Sequence, residues 1–271
     1  MTVSATPFWR CVPGHAEGQY VFPVMPAATV GPEGAPHIMG GVGLGALIDA
    51  MELDSELPLQ FAQVQFLSPT QHAEELAIAS EPCGGGRAIA QYAATAHVGG
   101  RPTHRASAAL GQREHGDDTQ FAAMPEMPAP DACHGVERDW AQPGGLIDQI
   151  DMRVALEDNE RGIQAIWTRS RAEFAVDAGW LAIISDFFLG SHPLAHGIGS
   201  SSLDATLRFV QGCEPGWVLS ITELGAFSRG VVHGSAQHFS EDGRLLAISS
   251  QSGVLPRIPF ADAEAMAPAM P

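Results

Sequence analysis

The sequence predicts an α+β chain of two tandem units, each a long apolar helix followed by a run of antiparallel strands. Three observations carry that expectation. The halves repeat one pattern at a nearly constant offset. Phe66 in Gln63–Pro69 matches Phe209 in Ala205–Val210, and Arg101 after Gly99-Gly100 matches Arg244 after Asp242-Gly243, both 143 residues apart (209 − 66; 244 − 101), while Arg87 matches Arg229 at 142 (229 − 87). Upstream of each block lies an apolar helical stretch, Gly43–Met51 and Gly179–Phe188. The chain has 271 residues, 45% of them hydrophobic, which suits two small domains. A unit this long is a duplicated domain rather than a solenoid repeat.

Taken in order, Pro and Gly punctuate the first forty residues, and Gln19–Val24 is the entry strand. The helix starts at Gly40-Gly41. After Pro58, alternating apolar residues and the glycine turns Gly84–Gly86 and Gly99-Gly100 predict three or four antiparallel strands. Residues from Gly111 to Gly145 mix acidic residues with Pro125, Pro128, Pro130 and Pro143, a composition that suits a connector more than a packed element. Asp148–Val154 and Gly162–Arg171 are the entry strands of the second copy. The resulting division is 1–112 for the first unit, 113–145 for the connector, 146–258 for the second unit and 259–271 for a frayed tail.

A net charge of −17 opposes phosphate tracking along nucleic acid, which Lys and Arg drive. All 14 basic residues are Arg, so Schiff-base chemistry and the lysine of a phosphate-binding loop are excluded. Cys11, Cys83, Cys133 and Cys213 show no C-x-x-C spacing, and Met1–Pro7 lacks the layout of a secretory signal. Free thiols and a cytoplasmic location are expected. No apolar run reaches the ~20 residues a membrane span needs.

A long helix wrapped by a curved antiparallel sheet is the hotdog arrangement, and the residues carry a resemblance. Ser185-Asp186-Phe187, Ser202-Leu203-Asp204, Trp217-Val218-Leu219 and Asp242–Gly253, with the Gly40-Gly41 helix start and Phe66–Pro69, resemble the acyl-CoA thioesterase II family of double-hotdog enzymes. The resemblance runs from Phe22 to Leu255. It implies hydrolysis of an acyl-CoA to a free acid and CoA, with no metal or redox cofactor. It further implies that an acid at the helix, a hydroxyl at the start of the next strand and a glutamine on the last strand activate water. Matched by position, these are Asp186, Ser202 and Gln251; Ser202 departs from the usual Thr. Further association into a homo-oligomer is compatible with the resemblance.

The offset supports that assignment from the residues themselves, because it sets Leu59 opposite Ser202 and Ala108 opposite Gln251. One copy is polar where the other is apolar. Asp186, flanked by Ile183, Ile184, Phe187 and Phe188, is expected to be partly buried and so to need hydrogen bonds. The plainer alternative has Asp186 ending its helix in solvent and Gln251 pairing across the sheet. Gly40 and Gly41 are read as helix-start backbone whose N–H groups face a ligand carbonyl or phosphate. The CoA phosphates call for a local Arg cluster drawn from Arg101, Arg105, Arg208, Arg229 and Arg257, with Arg101 and Arg229 foremost.

Other motifs carry less. Gly41-Val42-Gly43-Leu44-Gly45-Ala46 fits G-x-G-x-x-A, but no good strand precedes it and antiparallel strands follow. His192 and His196 have metal-pair spacing, yet Pro193 breaks any helix between them. His115 with Asp117 and Asp118 reads as a solvated charge run. There is no G-x-S-x-G elbow. Two rivals remain: a non-catalytic acyl-CoA-binding or regulatory protein, and an acyl-CoA hydratase or dehydratase, which needs a helix-borne His that neither helix supplies.

Overall fold

The computed structural model describes residues 7–31, 34–113, 117–136, 142–191 and 201–255. His115, the His192/His196 pair, Arg257 and the 259–271 tail lie outside the described residues. The first half runs β1 (Val12–Pro13), β2 (Gln19–Pro23), β3 (Thr29–Val30), β4 (His37–Ile38), α1 (Gly40–Ser55), β5 (Leu59–Phe66), β6 (Glu75–Gly85), β7 (Ile89–Val98) and β8 (Arg101–Gly111). The second runs β9 (His134–Gly135), β10 (Ile150–Asp158), β11 (Ile163–Ser170), α2 (Ala178–Ser185), β12 (Ser201–Phe209), β13 (Val218–Ser228), β14 (Val231–Ser240) and β15 (Leu245–Val254).

Thirteen strands form one antiparallel sheet in the order β1-β2-β6-β7-β8-β5-β12-β15-β14-β13-β11-β10-β9. Everything before the β5/β12 seam comes from the first half and everything after it from the second. At the seam Gln63 pairs with Thr206, two residues 143 apart, so the sequence offset relates this pair to itself and the two sides mirror each other about it. The sheet ends in the two-residue strands β1 and β9, which leave little exposed edge for another chain to extend.

Along β6 the burial alternates, with Leu76, Ile78 and Ser80 turned inward under α1. Helix α1 is buried on every side from Gly41 to Met51, as befits a helix held between a sheet and another helix. Its partner is α2, and the two meet backbone to backbone. A Cβ on Gly41 would stand 2.6 Å from the Ala182 carbonyl oxygen, and one on Gly45 would stand 3.2 Å from that of Gly179, so the helices run antiparallel and the contact requires glycine.

Two expectations are corrected. The second helix is not long: α2 has eight residues, capped by the Asp177 side chain accepting from Trp180 N at 2.8 Å, and continues as a 3-10 segment, Asp186–Ser191. The Asp186 N–H serves the carbonyls of both Ile183 and Ile184, which tightens the last turn. Nor is the proline-rich segment after β8 a bare connector. Ala122, Met124, Met127 and Cys133 cover the outer face of the second half's sheet over Trp167, Trp217, Leu219 and Phe239. Trp167 Nε1 donates to the Pro128 carbonyl at 2.9 Å, and Gln120 bonds Gly243 O and Leu245 N. A strap needs no regular periodicity to bury apolar side chains, so composition alone misses it. Among the described residues no helix is long and apolar enough to cross a membrane, and all four cysteines are free thiols.

Candidate active site

Asp186 stands where α2 gives way to its 3-10 extension, and three elements converge on it. Strand β12 carries a bulge between Ser202 and Asp204, an irregularity that re-aims a side chain, and Ser202 is turned inward instead of following the alternation of Ala205 and Leu207. The Ser202 hydroxyl donates to Asp186 Oδ1 at 3.0 Å. Gln251 lies on the buried face of β15, and its Nε2 hydrogen bonds Asp186 Oδ1 and, at 2.7 Å, Ser202 Oγ. From the other half of the molecule, Gly41 N at the start of α1 donates to Asp186 Oδ2 at 2.7 Å. The structure therefore brings Asp186, Ser202 and Gln251 together. The Gly41 N–H, expected to face a ligand, is taken by the carboxylate, while Gly40 lies beside Asp186 Oδ2.

Burial raises the Asp186 pKa above the ordinary carboxylate range, against the lowering effect of bonds from Gln251, Gly41 and Ser202. The group sits between opposed helix ends. The C-terminus of α2 repels a negative charge and the N-terminus of α1 attracts it. A carboxylate so held is ionisable and basic, which suits proton abstraction.

A cavity of about 510 Å³ opens at this end of the seam, lined by Gln63–Leu67 of β5 and its exit and by Leu203 and Asp204. Arg101 is near its rim, but its guanidinium is engaged by Ser68 Oγ at 2.8 Å, Pro69 O at 2.6 Å and Glu74 at 3.3 Å. Arg229 occupies the β13/β14 turn at φ 54, beside Gly230, whose carbonyl receives Leu255 N. That turn lies at the same end of the sheet, because Val231 pairs with Val254 and Val254 with Ser201. Arg105 pairs with Gln65 of the cavity wall, and Arg208 stacks on Phe61 at 5.2 Å. Among the described residues no group of three or more His, Cys, Asp or Glu side chains could hold a metal ion.

The mirrored place in the other half is filled differently. Asp186 stands four residues past Ala182, which touches Gly41; Asp49 stands four residues past Gly45, which touches Gly179. Asp49 is buried and binds Arg10 Nη1 at 2.5 Å and Cys11 N at 2.7 Å, and Arg10 reaches on to Asp177 at 2.7 Å. Leu59 and Ala108, the counterparts of Ser202 and Gln251, are buried. Sequence reasoning missed the Arg10 bridge, since nothing local marks a pairing across 167 residues. It also passed over His104, buried against Phe66 at 5.7 Å between ring centroids, whose pKa burial lowers to about 4.

The acyl-CoA thioesterase C-terminal domain family matches residues 118–255, just over half of the chain and including most of the strap. No curated protein sequence matches. Among solved structures, a protein from Novosphingobium aromaticivorans provisionally classed as a thioesterase is 28% identical with a TM-score of 0.86, over 93% of this chain and 100% of that one. The acyl-CoA thioesterase II TesB2 of Mycobacterium marinum is 19% identical with a TM-score of 0.75, over 94% and 98%. A protein with a hot dog fold from Alicyclobacillus acidocaldarius is 18% identical with a TM-score of 0.79, over 93% and 97%. These likenesses show the hotdog fold.

Proposed function

Because the chain belongs to the acyl-CoA thioesterase family, we propose that it hydrolyses an acyl-CoA to the free acid and CoA, with Asp186 as general base. The observation that carries this reading is the buried carboxylate held by Ser202, Gln251 and the Gly41 amide. Asp186 takes a proton from water as the water oxygen bonds to the thioester carbon. The tetrahedral adduct then expels the CoA sulfur, which receives the proton, so water is consumed and acid and thiol are released. In this reading Ser202 and Gln251 orient the base and its water, and backbone N–H groups at a helix start stabilise the oxyanion. General base action is worth ~10²–10⁴-fold.

The reading extends to architecture and substrate. Residues 1–112 and 146–258 are taken as two hotdog units joined along the seam, with only the second keeping a reaction centre. The cavity at the seam accepts the thioester end, and Arg229, with no ion pair or hydrogen bond among the described residues, is the better placed of the two leading arginines for a CoA phosphate. Incubating the protein with short, medium and long acyl-CoAs while titrating released thiol tests it. Absence of turnover across the panel would leave a binding protein in its place.

A further inference from the structure

Resting on that reading, we infer that Asp204 is a substrate-binding residue whose carboxylate accepts an amide N–H from the pantetheine arm of CoA in the seam cavity. The β12 bulge that turns Ser202 inward also sets the residues after it: Leu203 and Asp204 line the cavity, facing Gln63, Gln65, Phe66 and Leu67 of the other half. Asp204 is half-buried there. Its cross-strand neighbours are Gln65 and Ser252, neither of them a cation, and among the described residues it makes no hydrogen bond or ion pair. Partial burial of a carboxylate without a donor costs free energy, which a ligand N–H would offset.

Charge decides which part of the substrate lies beside it. A carboxylate repels the phosphates of CoA, and between those phosphates and the sulfur runs an uncharged arm with two secondary amides. Each amide has one N–H to donate and one carbonyl to accept. Asp204 can only accept, while the side-chain amides of Gln63 and Gln65 can donate to the carbonyls, so the cavity wall complements the arm. Its volume, about 510 Å³, falls within the ~300–1,000 Å³ of small-ligand sites. Phe66 ties the cavity to the chemistry, since its ring lines the wall and also packs at Gly40 beside Asp186. Toward the other end of the substrate, the Arg229 turn lies two strand spacings from β12, through β15 and β14, or ~10 Å. The phosphates can therefore reach an arginine once the arm has passed Asp204. The repeat makes the same distinction between halves: Phe61 is the counterpart of Asp204 (204 − 143), and the Arg208 guanidinium stacks on it.

The test compares Asp204→Leu with wild type on three thioesters of one acyl group: the CoA ester, the pantetheine ester and an S-propyl ester, which carries no amide. For the first two kcat/KM should fall about 10-fold, chiefly through KM, while the S-propyl ester is hydrolysed as by wild type. An unchanged kcat/KM on the CoA ester overturns the inference. So does an equal loss on the S-propyl ester, which marks Asp204 as a structural residue. Should Asp204→Leu fail to fold, Asp204→Asn is read in its place: removing the charge weakens the bond, so activity on the CoA ester should drop several-fold relative to the S-propyl ester, and an unchanged ratio refutes the role. Binding of CoA itself separates the two levels. Wild type that hydrolyses none of the esters, beside an Asp204→Leu protein that binds CoA about 10-fold more weakly, sinks the hydrolase reading and keeps the binding role; wild-type turnover beside unchanged CoA binding in Asp204→Leu sinks the binding role alone.

Discussion

Replacing Asp186 by Asn removes one charge and little else. The carboxylate accepts three hydrogen bonds, from Ser202, Gln251 and Gly41 N. Bonds to a charged acceptor are worth ~1.5–3 kcal/mol and neutral ones ~0.5–1.5, so the change weakens the three together by a few kcal/mol. Against this stands the desolvation of a buried carboxylate, itself several kcal/mol in a low-dielectric site. An Asn Nδ2 can turn toward Gln251, whose Oε1 lacks a partner and gains one if the amide flips. The two effects oppose each other at similar size, so the melting temperature should hold or rise. Turnover should drop ~10²–10⁴-fold, equivalent to ~2.7–5.4 kcal/mol of barrier. The assay is release of CoA thiol from acyl-CoA read with a chromogenic disulfide, after subtracting the protein's own thiols, of which Cys83 is exposed. A folded Asp186→Asn protein that turns over at the wild-type rate refutes the argument.

Further outcomes follow from the same geometry. Asp49→Asn should leave kcat intact but lower stability by ~1–3 kcal/mol, less than a fully buried pair because Arg10 is half-exposed, as thermal melts will show. Because burial raises the Asp186 pKa, kcat/KM should lose activity on acidification at a pH above the ordinary Asp range; Gln251→Ala and Ser202→Ala remove bonds that favour the charged form and should move that limb higher still, which a pH-rate series reads directly. His238, bridged by Ser220 at 2.8 Å and Ser249 at 2.9 Å, and His104 have pKa values lowered by burial to about 4. Each contributes stability that is present above the unfolded value near pH ~6.5 and lost as pH falls toward the folded one, about 2 kcal/mol apiece at pH 5. Melting temperatures that stay level between pH 7.5 and 5 would contradict this.

The repeat was legible because strand pairing preserves it: the 143-residue offset reappears where Gln63 meets Thr206. Asp186 stood out as a carboxylate among Ile183, Ile184, Phe187 and Phe188, whereas Gln251, set between Ser250 and Ser252, was singled out by the family resemblance and by its apolar counterpart Ala108. Ser202 could be placed on its strand but not aimed, because the bulge that turns it inward exists only relative to β15. The strap was hidden by its prolines, which read as linker while Met124 and Met127 pack on the sheet. The tie between Arg101 and Glu74 was invisible for a different reason: an arginine's partner is decided by which loops the sheet brings side by side.

One contact has consequences beyond the reaction step. The amide that grips Asp186 belongs to Gly41, and the serine, glutamine and aspartate belong to the opposite half. A polypeptide cut in the strap would therefore behave as a complementation system: neither fragment would turn over substrate alone, and mixing them would restore activity with second-order dependence on concentration. The first half could not be shed in any shorter version of the molecule, since discarding it would leave the Asp186 carboxylate without the Gly41 amide that holds it.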